Sequence, residues 1–229
     1  MAEQPADILE QLKSLADPQA LEGMRRYGIN PVNTLGISMP KLRDLARRTG
    51  QDHQTALKLW DSGIHEARIL AGLVDDPKQV SPEQMEAWAK DFDSWDVCDQ
   101  VCGNLFDRTP FAVQKAIEWS ERSEEFVKRA GFVLMAGLAV HAKKMPDEAF
   151  ETFFPIILRE ATDGRNFVRK AVNWALRQIG KRSLYLNERA IETAWQIQKI
   201  EHKKSRWIAS NALDELTDSR VQARITPKA

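Results

Sequence analysis

Almost every stretch of this chain repeats its apolar residues at helical spacing. No run alternates apolar and polar residues between turn signals, so the pattern predicts helices and no strands. Ile8, Leu12 and Leu15 form the stripe of a first helix. Asp17-Pro18 offers a cap and a first-turn proline for a second, running to about Tyr27. Residues 28–39, GINPVNTLGISM, make the longest loop-like stretch. Ser38 and Pro40 open the helix after it, and others follow at about 52–61 and 65–75. Ser81-Pro82-Glu83-Gln84 reads as a capping box for a helix through Trp88, and Thr109-Pro110 starts one ending near Ser120.

Beyond that point the helices pair, and the second member of each pair repeats a theme. FVKRAGFVLMAG (126–137), NFVRKAVNWALR (166–177) and SRWIASNALDEL (205–216) share it, with a weaker copy in EARILAGLVD (66–75). Each has basic residues near its start and small residues among apolar ones further on. Aligning Arg129 with Lys170 and Trp207 gives spacings of 41 and 37 residues. Two-helix units at that period are the signature of HEAT-like or armadillo-like solenoids, in which a unit buries its face only against its neighbours. The expected fold is therefore an all-α helical-repeat solenoid, an α-α superhelix of about six helical pairs. Helices 94–106, 126–143, 166–180 and 205–216 should lie side by side, with small residues allowing consecutive second helices to pack closely.

Candidate chemistry centres on Asp93-Ser94-Trp95-Asp96-Val97-Cys98-Asp99. Asp93 or Ser94 can cap a helix whose apolar side carries Val101, Cys102 and Leu105. Trp95 and Asp99 are then i and i+4, an indole and a carboxylate on one face. Both groups favour positive charge, so the pair suits a cationic ligand. A packing tryptophan beside an ordinary acid explains the same residues. Asp96 reads as a first-turn acid complementing the helix dipole.

Charge adds one element. The chain has 33 Lys and Arg against 33 Asp and Glu, but unevenly placed. Residues 1–110 hold 12 against 18, and residues 111–229 hold 21 against 15. An overall neutral protein is no obvious nucleic-acid binder, so such a function must rest on local clusters. Arg129, Arg169, Lys170, Arg177, Lys203, Lys204 and Arg206 lie on the repeated second helices. They read as a basic groove or as solvated helix surface. Cys98 and Cys102, the only cysteines, form no disulfide framework, and four scattered histidines have no zinc spacing. No apolar run approaches bilayer length, and Met1–Ala16 lacks the basic start and apolar stretch of a signal peptide. A reduced, cytoplasmic, metal-free protein without a membrane span is the expectation.

Several stretches together resemble the AlkD-type DNA alkylation repair glycosylases, built from HEAT-like repeats. The most specific are SWDVCD (94–99), FVKRAGFVLMAGLAVHAKKMPDE (126–148) and NFVRKAVNWALRQIGK (166–181), with RRYGINPVNTLGISMPKLRDL (25–45) similar to the family's N-terminal segment. The resemblance covers nearly the whole chain, which it makes a single domain, 1–229, with a tail from about 218. It implies hydrolysis of the N-glycosidic bond of cationic N3- or N7-alkylated purines in duplex DNA, without cofactor or metal, by a monomer associated with the nucleoid. The family's cleft pattern falls on Trp95, Asp99, Arg129 and Trp174. Asp99 would stabilise an oxocarbenium-like sugar and position water. Trp95 and Trp174 would flank that sugar, although Trp174 also fits a core stripe with Phe167, Ala171 and Ala175. Arg129 would hold a phosphate or orient Asp99. Lys128 and Tyr27 join the basic residues as expected DNA contacts. Where the family often has two adjacent tryptophans, this chain has Ser94-Trp95. The competing expectation is a non-catalytic solenoid that binds unusual DNA structures or a protein partner.

Overall fold

The structure, a computed structural model, describes residues 4–226. The first three residues and the last three of the expected tail lie outside the described residues. Within them the chain is helical, without a strand, and divides into two compact units, 4–111 and 112–226.

The first unit contains α1 (Pro5–Ser14), α2 (Ala20–Arg26), α3 (Met39–Thr49), α4 (His53–Asp61), α5 (His65–Val74), α6 (Pro82–Lys90) and α7 (Trp95–Asn104). A single 3-10 turn, Phe106–Arg108, follows. Helix α2 starts two residues after Pro18, because the Asp17 carboxylate accepts the N–H of Gln19 in a separate turn, at 3.1 Å. Ser81 caps α6 as expected, accepting from the Gln84 N–H at 3.2 Å. The reciprocal half of the capping box is absent, since the Gln84 amide donates instead to Asp75 at 2.7 Å. Trp60 and Trp88 stack with centroids 4.0 Å apart, and Asp91 accepts the Trp60 indole N–H at 2.9 Å. This pair joins α4 to α6. Gly72 of α5 lies where a Cβ would come 3.0 Å from the Val101 side chain, so α5 and α7 approach at the distance glycine allows.

The second unit contains α8 (Ala112–Ser120), α9 (Glu125–His141), α10 (Phe153–Glu160), α11 (Asn166–Gly180), α12 (Leu184–Gln198), α13 (Lys203–Leu216) and α14 (Ser219–Ile225). The tail thus opens with a helix. Thr109 does not cap α8: its hydroxyl donates to the Phe106 carbonyl at 2.8 Å and closes the 3-10 turn, so α8 starts only at Ala112. Helices α8 and α9, α10 and α11, and α12 and α13 form consecutive pairs. Second helices α9, α11 and α13 pack in one row and first helices α8, α10 and α12 in another, the helical-repeat arrangement that the spacing predicts.

Side-chain bonds to neighbouring carbonyls hold this row in register. Arg129 of α9 donates to the Phe167 carbonyl at 2.6 Å, and Asn173 of α11 to the Ile208 carbonyl at 3.1 Å. Arg182 docks at the end of α9 and the turn after it, donating to the carbonyls of Ala139, Ala142 and Met145 at 3.1, 3.0 and 2.6 Å. The small residues work differently from the expectation. Gly131 brings α9 against α8, its own partner, because a Cβ there would lie 2.7 Å from the Ser120 nitrogen. Gly180 does meet the next second helix, through Leu216, and Ala190 of α12 as well.

Two glycine substitutions should differ in effect. Gly131→Ala forces α8 and α9 apart and should cost roughly 1–3 kcal/mol by urea unfolding. At Gly103, in α7, an added Cβ meets nothing within 4 Å. There alanine should be neutral or stabilise by up to about 1 kcal/mol through helix propensity. Equal effects at both sites would show that helix propensity, and not the α8–α9 approach, governs position 131.

Candidate functional site

The long loop between α2 and α3 is fixed from two sides within the first unit. From α5, the fully buried Glu66 carboxylate accepts the backbone N–H groups of Leu35, Gly36 and Ile37 at 2.8, 2.7 and 3.1 Å. A buried carboxylate is costly unless it is so bonded, and charge-assisted bonds to three amides answer that requirement. Gly36 is obligatory, with φ +80° and the Asp17 carbonyl only 2.2 Å from where a Cβ would stand. From the other side, the buried Ser94 hydroxyl accepts the Asn30 N–H at 2.8 Å, and Asp93 the Asn30 side-chain amide at 2.7 Å. Ser94 therefore precedes α7 without capping it through its side chain. The serine that precedes Trp95 thus has a partner of its own.

Trp95 and Asp99 follow on successive turns of α7, both partly exposed, while Val97, Cys98, Val101 and Cys102 are buried. The Trp95 indole N–H donates to the Tyr27 carbonyl at 3.0 Å, which sets the ring's position. Trp95 also lines a mostly apolar cavity of about 320 Å³ with Met24, Ile29, Ile37, Ile69 and Gln100. The Tyr27 side chain is 76% exposed. Asp96 occupies the first turn of α7, as read from the sequence, but its carboxylate also bonds the buried His65 ring at 2.8 Å. Sequence reading missed Glu66 and His65, whose partners are remote in the chain. Burial pushes the Cys102 thiol well up, reinforced by its hydrogen bond to Cys98, so it offers no thiolate.

In the second unit the predicted residues separate by environment. Arg129 is 5% exposed and tied to Phe167, as described above. Trp174 is half-buried on α11, where the core stripe is made by Val168, Ala171, Val172, Ala175 and Leu176 instead. Lys128 pairs with Glu160 at 2.6 Å, Arg177 pairs with Glu215, and Lys204 donates to the Gly164 carbonyl. Lys170, Lys203 and Arg206 are exposed and make no ion pair among the described residues. Arg169 lies over the Trp207 ring, 4.8 Å from its centroid. Among the described residues no group of His, Cys, Asp and Glu is placed to hold a metal ion, and no helix is long and apolar enough to cross a membrane.

Paired helices stacked in rows define a HEAT-like helical-repeat protein. More particularly, the chain belongs to the DNA alkylation repair enzyme family, whose pattern matches residues 8–216. Uncharacterized proteins of Listeria monocytogenes and Listeria innocua are each 22% identical over 194 residues, covering 83% of this chain and 84% of theirs. A solved structure with a TM-score of 0.78 and 16% identity covers 97% of this chain and 96% of its own. It is described as a new family of proteins related to the HEAT-like repeat DNA glycosylases, with affinity for branched DNA structures.

The His65–Asp96 bond should make stability pH-dependent. Burial lowers the His65 pKa, but the hydrogen bond and charge of Asp96, with Glu66 and Asp93 nearby, outweigh it and raise the value above 6.5. Protonation then favours the folded state. The contribution is complete below about pH 6.5 and disappears as pH rises through the raised folded value. Urea midpoints measured between pH 5 and 9 should fall over that interval, and His65→Asn should remove that part of the fall. A His65→Asn profile parallel to the wild type would assign the titration elsewhere.

Proposed function

We propose that the protein is a DNA glycosylase that releases cationic N3- or N7-alkylated purines from duplex DNA. The observation that supports this most is on α7: Asp99 and Trp95 stay partly exposed one turn apart on one side of the helix, while Val97, Cys98, Val101 and Cys102 bury its other side. An alkylated purine already carries the positive charge of a good leaving group, so no general acid is required. What remains is to stabilise the developing positive charge on the sugar and to supply water. One carboxylate can do both, and this is the role assigned to Asp99. Trp95, its indole fixed through Tyr27, offers a π face to the same cationic species. The family match spans both units, which we treat as one working domain. A monomer acting on nucleoid DNA is the setting this reading implies.

A second reading is favoured by one finding. The solved structure of similar fold is described by its affinity for branched DNA, not by base release. On that reading the protein binds DNA junctions and leaves the glycosidic bond intact.

One experiment separates the two. Duplex DNA containing N7-methylguanine is incubated with excess protein, and free base is followed in a single turnover. Release is expected, and Asp99→Asn should slow it by on the order of a hundredfold or more, with DNA affinity and melting temperature nearly unchanged. Absence of release by the wild type, together with junction binding, would establish the second reading. Release by the Asn variant at the wild-type rate would remove Asp99 from the chemistry.

The charges of the second unit should also sort themselves. Lys170→Glu, at an exposed residue without an ion pair, should weaken binding to any duplex and lower the salt slope by about one. Lys128→Glu would face Glu160 and should lower the melting temperature first. An unchanged slope in the Lys170 variant would make that residue solvated surface.

A further inference from the structure

We propose that Trp207 is a stacking platform for an unpaired base of single-stranded DNA, a binding site separate from any base-excision chemistry. Trp207 is 40% exposed near the start of α13, whereas Trp60, Trp88 and Trp119 are buried. Its other partner is a cation. The Arg169 guanidinium sits 4.8 Å from the ring centroid and donates to the Asn166 side chain at 3.1 Å, while its Nε has no acceptor. No carboxylate among the described residues neutralises it. The guanidinium therefore holds the indole by cation–π attraction and leaves positive charge beside it.

The surroundings favour a polyanion. Lys203 and Arg206, on the same turns of α13, and Lys170, next to Arg169 on α11, are exposed and make no ion pair. Helices α11 and α13 pack side by side, which brings their basic first turns together. A π face set among unneutralised cations is the combination by which single strands are held, bases on the aromatic ring and phosphates on the lysines and arginines. A duplex presents the phosphates but keeps its bases in the stack, so the indole serves only where a base is unpaired. Trp195 provides the contrast. It is 54% exposed, yet no cation among the described residues lies over its ring.

The test uses undamaged DNA, so its outcome is independent of whether the protein releases bases. Affinities are measured by fluorescence anisotropy for three labelled probes: an oligothymidine of about twelve nucleotides, an abasic strand of the same length, and a blunt duplex. Trp207→Leu keeps apolar bulk against Arg169 without a π face, and Trp207→Phe keeps a smaller π face. The Leu variant should lose roughly tenfold or more for oligothymidine, and the Phe variant much less. Both should bind the abasic strand and the duplex within about twofold of wild type, since the phosphate contacts remain. Equal losses on all three probes would make Trp207 a support for the basic residues. Unchanged oligothymidine binding in the Leu variant would make it a surface tryptophan, and either result overturns the proposal.

Discussion

The first unit depends on one buried charge. Glu66 belongs to α5, but its carboxylate is surrounded by backbone N–H groups of a loop about thirty residues earlier in the chain. Taking that carboxylate out of water is tolerable only because three amides meet it, and those amides in turn find their acceptor in the carboxylate. Once Leu35 to Ile37 are held, the rest of the loop has a fixed place. Asn30 then reaches Ser94 and Asp93, Asn33 accepts the N–H of His65, and the Tyr27 carbonyl receives the Trp95 indole. The position of the tryptophan proposed to face substrate is thus set by an acid on another helix.

This dependence explains which parts of the structure could be read from residues alone. Helices were legible because each buries one stripe, and a stripe at 3.6-residue period survives whatever it packs against. The repeats were legible because the second helices carry similar basic, small and apolar residues at a near-constant spacing. Glu66 was not: in sequence it is an acid in the first turn of a helix, and only the loop folded against it makes it a buried ligand for amides. Ser94 was read as a possible cap because serine before a helix usually is one, yet its hydroxyl is taken by Asn30, 64 residues away. Likewise Thr109 and Asp17 spend their side chains on turns just before the helices they were expected to start. Local rules fail here where a non-local or neighbouring turn partner competes for the same oxygen.

Formal charge was a coarse guide for the same reason. Residues 111–229 carry six more basic than acidic groups, but the surplus is not spread evenly over the basic residues. Lys128, Arg177 and Lys181 face Glu160 and Glu215, with side chains largely withdrawn from solvent. Such pairs fix geometry between neighbouring helices and offer little field to a distant phosphate. Lys170, Lys203 and Arg206 retain theirs. Sequence spacing identified all of them equally, because nothing in the spacing records which carboxylate a folded chain brings near.

The register of the second unit is maintained by a different kind of bond. Arg129 to the Phe167 carbonyl and Asn173 to the Ile208 carbonyl each join a second helix to the next through a side chain and a backbone oxygen. A carbonyl cannot be titrated or screened away as a carboxylate partner can, so these ties persist at salt concentrations that weaken surface ion pairs. They fix α11 and α13 relative to α9 without consuming the exposed cations at the first turns of α11 and α13. Those cations are consequently presented at set positions yet left unneutralised, the condition a repeat surface must meet to bind a phosphate backbone at all.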